Sequence, residues 1–239
     1  MNRVFWLIGF ALFHLANSLR NMCVASRFPQ TTHSKLLWFI VSGLFFLSSA
    51  CTTPKPPTMN PTRTELSAAE VRLREGARQA QVSYPLQNPE IKIFKGARRI
   101  ELWAERKLVK AYKIGLGTSP VEDKEREGDF RTPEGQFYVC TRNEQSKFHL
   151  FLGVSYPNQE DAKRGLASGL ITQEQYDAIV DAQNKQERPP WNTPLGGEVG
   201  IHGHGSSSDW TWGCIAVENE EIEELWLACP MKTPITIAR

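Results

Sequence analysis

Neither sign of charge dominates this chain: 28 lysines and arginines stand against 26 aspartates and glutamates, a net of +2. There is no long basic run and no interleaving of basic with aromatic residues, so the electrostatic footprint of a nucleic-acid binder is missing. Two mildly basic stretches, Lys107 to Lys113 and Lys124 to Arg131, suit an anionic polymer and an ordinary solvated face equally well. Cysteine is sparse, with five residues. No CxxC and no Cys/His cluster of dependable zinc spacing occurs, so no metal and no organic cofactor is implied. Uninterrupted apolar runs are also short of the about 20 residues that a membrane-spanning helix needs.

Two such runs do occur near the N-terminus. Val4 to Phe13 follows a single Arg3, and Leu36 to Ala50 follows His33-Ser34-Lys35 and closes on Ser48-Ser49-Ala50-Cys51. The second has the form of a signal-peptide core ended by small residues. The cysteine directly after them resembles a bacterial lipoprotein processing site, with Cys51 as the lipidated residue, although Leu47 sits one place early. An ordinary secretory signal and a two-span hairpin are the competing readings, and a true start at Met22 would account for the extra run. The expectation is an exported, periplasmic chain that meets the membrane through its signal or lipid anchor. Residues 1–51 are then the export segment. Residues 52–87 follow as a linker, opening with a stiff proline-rich tether, Thr52 to Pro61, and continuing with a short helix from Ser67 to Arg78.

Residues 88–239 are long enough for one domain with a sizeable core. Ile91 to Phe94, Arg99 to Ala104, Val109 to Ile114 and Gln136 to Cys140 alternate as half-buried strands, with turn chemistry at Lys95-Gly96. Two helices punctuate them. Thr172 to Gln186 opens on a Thr172/Gln175 capping box. Asn219 caps the second, whose stripe is Ile222, Leu225 and Trp226. The fold class is mostly β with peripheral helices (α+β).

The segment Val199 to Gly205 followed by Asp209 to Ala216 carries the chemistry. If extended, Val199-Gly200-Ile201-His202-Gly203-His204 puts both histidines on one face. Cys214 follows a glycine that frees the backbone to turn N–H groups toward an oxyanion. An imidazole near a thiol is the usual means of generating thiolate. A buried structural cysteine, or a zinc site from His202, His204, Asp209 and Cys214, fits the same spacing.

Ile201-His202-Gly203 leading into Gly213-Cys214-Ile215 resembles the signature of the L,D-transpeptidase (YkuD-type) catalytic domain. Gly128 to Gly135 is similar to that family's "GD-x-x-TP-x-G" turn, Ser155 to Asn158 to its "SYPN" strand, and Thr233-Pro234-Ile235 to its closing strand. The resemblance implies a YkuD-like β-sandwich with Cys214 as nucleophile and His202 as base, Gly213 beside them, and His204 as the alternative base or orienter. It implies an oxyanion held by N–H groups near Trp212, Gly213 and Cys214, and peptidoglycan stem peptides as partners in wall cross-linking or remodelling. The sequence also departs from the pattern. Trp212 replaces a histidine, Ala216 stands where many members carry Arg or Asn, and the His202–Cys214 gap is short. The form Asp209-Trp210-Thr211-x-Gly213-Cys214-Ile215-Ala216 resembles a divergent branch that includes a hydrolase, so water is the alternative acyl acceptor. A non-catalytic wall-binding lipoprotein is the third reading. Trp191, Trp210 and Trp212 line a groove or belong to the core. Cys140 and Cys229 either pair or stay as separate buried thiols.

Overall fold

The computed structural model describes residues 66–239. The two apolar runs, Cys51 and the proline-rich tether lie outside the described residues. In chain order the elements are α1 (Ala68–Ala80), β1 (Glu90–Phe94), β2 (Arg99–Ala104), β3 (Lys107–Lys113), β4 (Gly135–Ser146), β5 (His149–Val154), α2 (Gln159–Ala167), α3 (Gln173–Lys185), β6 (Gly200–His202), β7 (Ile215–Ala216), α4 (Asn219–Ala228) and β8 (Pro234–Ala238). The fold is α+β: one curled eight-stranded sheet, in the order β3-β2-β1-β8-β4-β5-β6-β7, with helices around it.

β4 is the hinge of that curl. Its first residues pair with β8, and its later ones pair with β5 across register shifts near Val139 and Asn143. Such shifts bend a strand and steepen its twist, which carries the chain from one half of the sheet into the other. The outer edges then meet. Gly115, just past β3, exchanges backbone hydrogen bonds of 2.9 and 2.8 Å with Ala216 of β7. The main core is drawn from both halves, with Ile93, Ile100, Leu102, Leu152, Ile201 and Ile215 all at most 1% exposed.

The helices follow local signals with three revisions. α3 has the expected box, since Thr172 Oγ1 accepts the Gln175 N–H and Gln175 accepts the Thr172 N–H. α4 is capped one residue earlier than expected. Glu218 is the N-cap, reciprocated by Glu221 through its carboxylate, while the Asn219 amide oxygen accepts the His204 N–H. The "SYPN" segment is not a strand. It is the exit from β5, and Asn158 caps α2 in a box with Asp161. α1 is more than a linker, because Leu73 is buried in the main core. Its neighbour Arg72 meets the buried Glu224 of α4 at 2.6 Å, and Glu224 also takes the Tyr112 hydroxyl at 2.9 Å. Cys140 and Cys229 are both free and buried, and burial pushes both thiols up to about 12.

Candidate active site

The site lies where the sheet closes. β6 and β7 run parallel in the register Ile201↔Ile215 and His202↔Ala216. Cys214 lies just outside β7, one residue before Ile215 and two before Ala216, the register partner of His202. The short β6–β7 connection is held by contacts that arrive from far along the chain. Asp209 receives the Arg98 guanidinium (Nε at 3.0 and 3.1 Å, Nη2 at 2.7 Å) and the Leu116 N–H at 2.9 Å. That engagement makes Asp209 a brace of the loop. Among the described residues no group of three His, Cys, Asp or Glu side chains is arranged to hold a metal ion.

Gly213 makes the turn before Cys214. Its φ of 131° belongs to glycine, and a Cβ there would sit 2.7 Å from the Arg131 carbonyl. Thr211 ties the turn from both sides: its hydroxyl accepts the Gly213 N–H at 3.1 Å and donates to the Cys214 carbonyl at 2.8 Å. The Gly213 N–H is thus committed. The N–H groups of Trp212 and Cys214 make no hydrogen bond among the described residues, so they are the pair open to an oxyanion.

His202 is 1% exposed. Its Nδ1 lies 2.8 Å from the Gly203 carbonyl, which only accepts, so Nδ1 carries the proton and Nε2 keeps its lone pair. Phe148 stacks on the ring at 4.7 Å and Trp210 meets it edge-on at 5.6 Å. Burial lowers the imidazole below its ordinary value against the pull of the Gly203 carbonyl. His204 meets the same Phe148 ring edge-on at 5.7 Å but lies outside the buried pocket. The strand ends at His202, and His204 is exposed at φ 76°, so the expected alternation of the two histidines breaks there.

The Cys214 thiol is partly exposed and donates to the Glu198 carbonyl at 3.5 Å. Burial pushes it up to about 11, against the opposing pull of the Gly200 N–H and the Lys124 ammonium. Lys124 is itself buried, hydrogen-bonded to Asp129 at 2.8 Å. Asp129 also gathers the backbone N–H groups of Glu125, Arg126 and Arg131, which explains the Gly-Asp turn seen in the sequence. Of the three tryptophans, Trp212 is 82% exposed beside Phe130, Trp210 packs on His202, and Trp191 lines a groove next to Glu198. Glu198 and Phe148 went unread in the sequence, and Thr211 entered only as part of the Asp209 to Ala216 pattern. Thr211 alone left a local signal, a hydroxyl three residues before Cys214.

This chain belongs to the family of the L,D-transpeptidase catalytic domain (YkuD), which it matches over residues 88–237. It is similar to YafK of Escherichia coli (strain K12), a protein named for the same family, with 33% identity over 82 residues. That match spans 31% of this chain and 33% of YafK, so about a third of the relative's length is covered. Among solved structures it is similar to the helical cell shape determining protein Pgp2 of Campylobacter jejuni, at 20% identity and a TM-score of 0.44, over 72% of this chain and 55% of that one. It is also similar to Bd1075 of Bdellovibrio bacteriovorus, at 20% identity and a TM-score of 0.42, over 65% and 49% of the two chains.

Proposed function

We propose that this chain is a cysteine-dependent L,D-transpeptidase that acts on peptidoglycan stem peptides through a thioester acyl-enzyme. The observation that carries the reading is the pairing of β6 with β7. It supports the reading because a partly exposed thiol one residue before β7 and an imidazole with a free Nε2 at the end of β6 flank the paired residues, beside two unengaged N–H groups. Cys214 Sγ attacks the carbonyl of the L-centre of the stem peptide as its proton passes to His202 Nε2. The oxyanion is received by the Trp212 and Cys214 N–H groups. On collapse the C–N bond breaks, His202 returns its proton to the leaving amine, and the acyl group stays on sulfur. An amine then resolves the thioester and forms a cross-link. His204 stays outside this sequence of steps. The leader segments support export and lipid anchoring at Cys51, which would bring the domain to the periplasmic wall.

One feature favours hydrolysis as the second reading. Ala216 is fully buried and paired to Gly115, so the position two after the nucleophile offers no polar group to an incoming acceptor. Water would then resolve the thioester.

The test is incubation of the full-length chain with stem peptides, with and without a D-amino acid acceptor, read by mass spectrometry. Acceptor-dependent adducts lost in Cys214→Ser establish transpeptidation. Cysteine-dependent cleavage with no adduct makes the chain a hydrolase. No Cys214-dependent product from either reaction removes the enzymatic reading.

A further inference from the structure

Grooves open on the described surface beside α2 and beside α3. The larger, about 540 Å³, is bordered by α2, and most of its charges are matched, with Arg164 paired to Asp123 and Asp161 and Lys124 to Asp129, while Arg126 is exposed and in no ion pair among the described residues. The second, about 480 Å³, is different. It lies between α3 and residues 188–198, and it reaches the proposed nucleophile through Glu198, whose carbonyl takes the thiol. Its two charged side chains, Arg188 and Glu198, are exposed and in no ion pair among the described residues.

Arg188 is also held in place. Its guanidinium lies 4.9 Å from the Trp191 ring centroid. That indole is fixed in turn by its Nε1–H to the Tyr156 carbonyl at 3.0 Å, and by Gly197, where any Cβ would overlap the ring. Stacking on an aromatic face leaves the planar edge of a guanidinium free to donate in two parallel hydrogen bonds, the geometry that fits a carboxylate. A cation so arranged is pre-organised, and less side-chain freedom is lost when it binds. Ala216 adds weight, since the buried methyl two residues after the proposed nucleophile supplies no charge for this purpose.

We infer that Arg188 and Glu198 form the two ends of a subsite for a zwitterionic amino-acid centre on the acyl donor. Arg188 takes the carboxylate and Glu198 the ammonium. The distal centre of a diaminopimelate residue carries both groups, whereas a lysine side chain carries only the ammonium. The inference rests on the reading of Cys214 as the thiol that receives the stem-peptide acyl group. Arg188 and Glu198 are substrate-binding groups in this assignment and take no part in proton transfer.

The experiment uses the full-length chain with Cys214→Ala, so that binding is read without turnover. Three tetrapeptides are titrated by calorimetry, identical except at the third residue: diaminopimelate, diaminopimelate amidated at the distal carboxyl, and lysine. The free-carboxylate peptide is expected to bind about tenfold or more tightly than the other two, as a charge-assisted bidentate contact predicts. Adding Arg188→Ala should collapse that preference, and Arg188→Lys should restore part of it. Glu198→Gln should weaken all three peptides, since each carries the ammonium. Equal binding of free and amidated peptides, a preference that survives Arg188→Ala, or no binding at all overturns the subsite. Intact-mass detection of the thioester on the unmutated chain separates the two claims. Adducts without carboxylate preference leave the acyl-transfer reading and remove the subsite. An Arg188-dependent preference without adducts does the reverse.

Discussion

Near pH 7, Cys214 rests as a thiol and His202 as a neutral imidazole. Burial raises the first to about 11 and lowers the second, so both shifts oppose a standing thiolate–imidazolium pair. With a thiol at about 11, about one site in ten thousand is thiolate at pH 7. Deprotonation therefore has to accompany attack, with Nε2 taking the proton as the sulfur–carbon bond forms. The sign of the pH dependence follows. Iodoacetamide labelling of Cys214 in the free chain should rise about tenfold per pH unit between 6 and 10, with no plateau, because only the thiolate reacts and its fraction is still growing. Peptide mass spectrometry of labelled Cys214 gives the rate. A flat rate from pH 6 to 9 would instead mark a pre-formed ion pair. Turnover should fall on the acid side only below the ordinary imidazole value of about 6.5, since a depressed His202 stays unprotonated and competent until then.

α1 marks the boundary between what local sequence reveals and what only tertiary structure decides. Its start was legible, because Ser67 accepts the Glu70 N–H as the spacing predicts. Its docking was not. The buried face is Ala69, Leu73, Gly76 and Ala77, one large side chain among small ones, which gives a weak helical stripe. The partner acid, Glu224, lies in a run of glutamates that reads as a solvated face, yet it is 2% exposed. Leu73→Ala should therefore destabilise the chain by ~2–5 kcal/mol, the cost of a cavity in a shared core. Urea unfolding measures it, and a loss under about 0.5 kcal/mol, the size of an ordinary surface effect, would return α1 to the role of a tether. The same contrast runs through the other elements. α3 announced both its cap and its end, because those signals are near neighbours in sequence. The cap of α2 was hidden inside the "SYPN" motif. β7, two residues long, has no periodicity to read and exists only because β6 and Gly115 flank it. Cys214 and His202 were legible as chemistry. The groove of Arg188 and Glu198 was not, since packing against Trp191 is what gathers it.

The described residues form two apolar cores of unequal depth, and the proposed site lies across their division. The main core joins both halves of the sheet with α1 and α4, whereas α2 and α3 rest on a separate small cluster of Ala162, Ile171, Ile179 and Leu195. Few apolar contacts and helices capped largely by their own side chains define a unit that opens before the whole does. The wall of the proposed substrate groove is built on that smaller unit, while Ile201 and Ile215, the neighbours of His202 and Cys214, belong to the larger. Hydrogen exchange read by mass spectrometry should accordingly show two classes of slow amides. Those of β1, β8 and the β8-paired part of β4 should exchange only by global unfolding. Those of α2 and α3 should exchange through a smaller opening, at lower free energy and with a weaker dependence on denaturant. Ile179→Ala would enlarge the gap, speeding exchange in α2 and α3 by about 30-fold or more, the equivalent of a ~2 kcal/mol cavity cost, while β8 stays slow. A uniform acceleration across both cores would mean that the molecule opens as one piece, and that the groove wall is as rigid as β6 and β7.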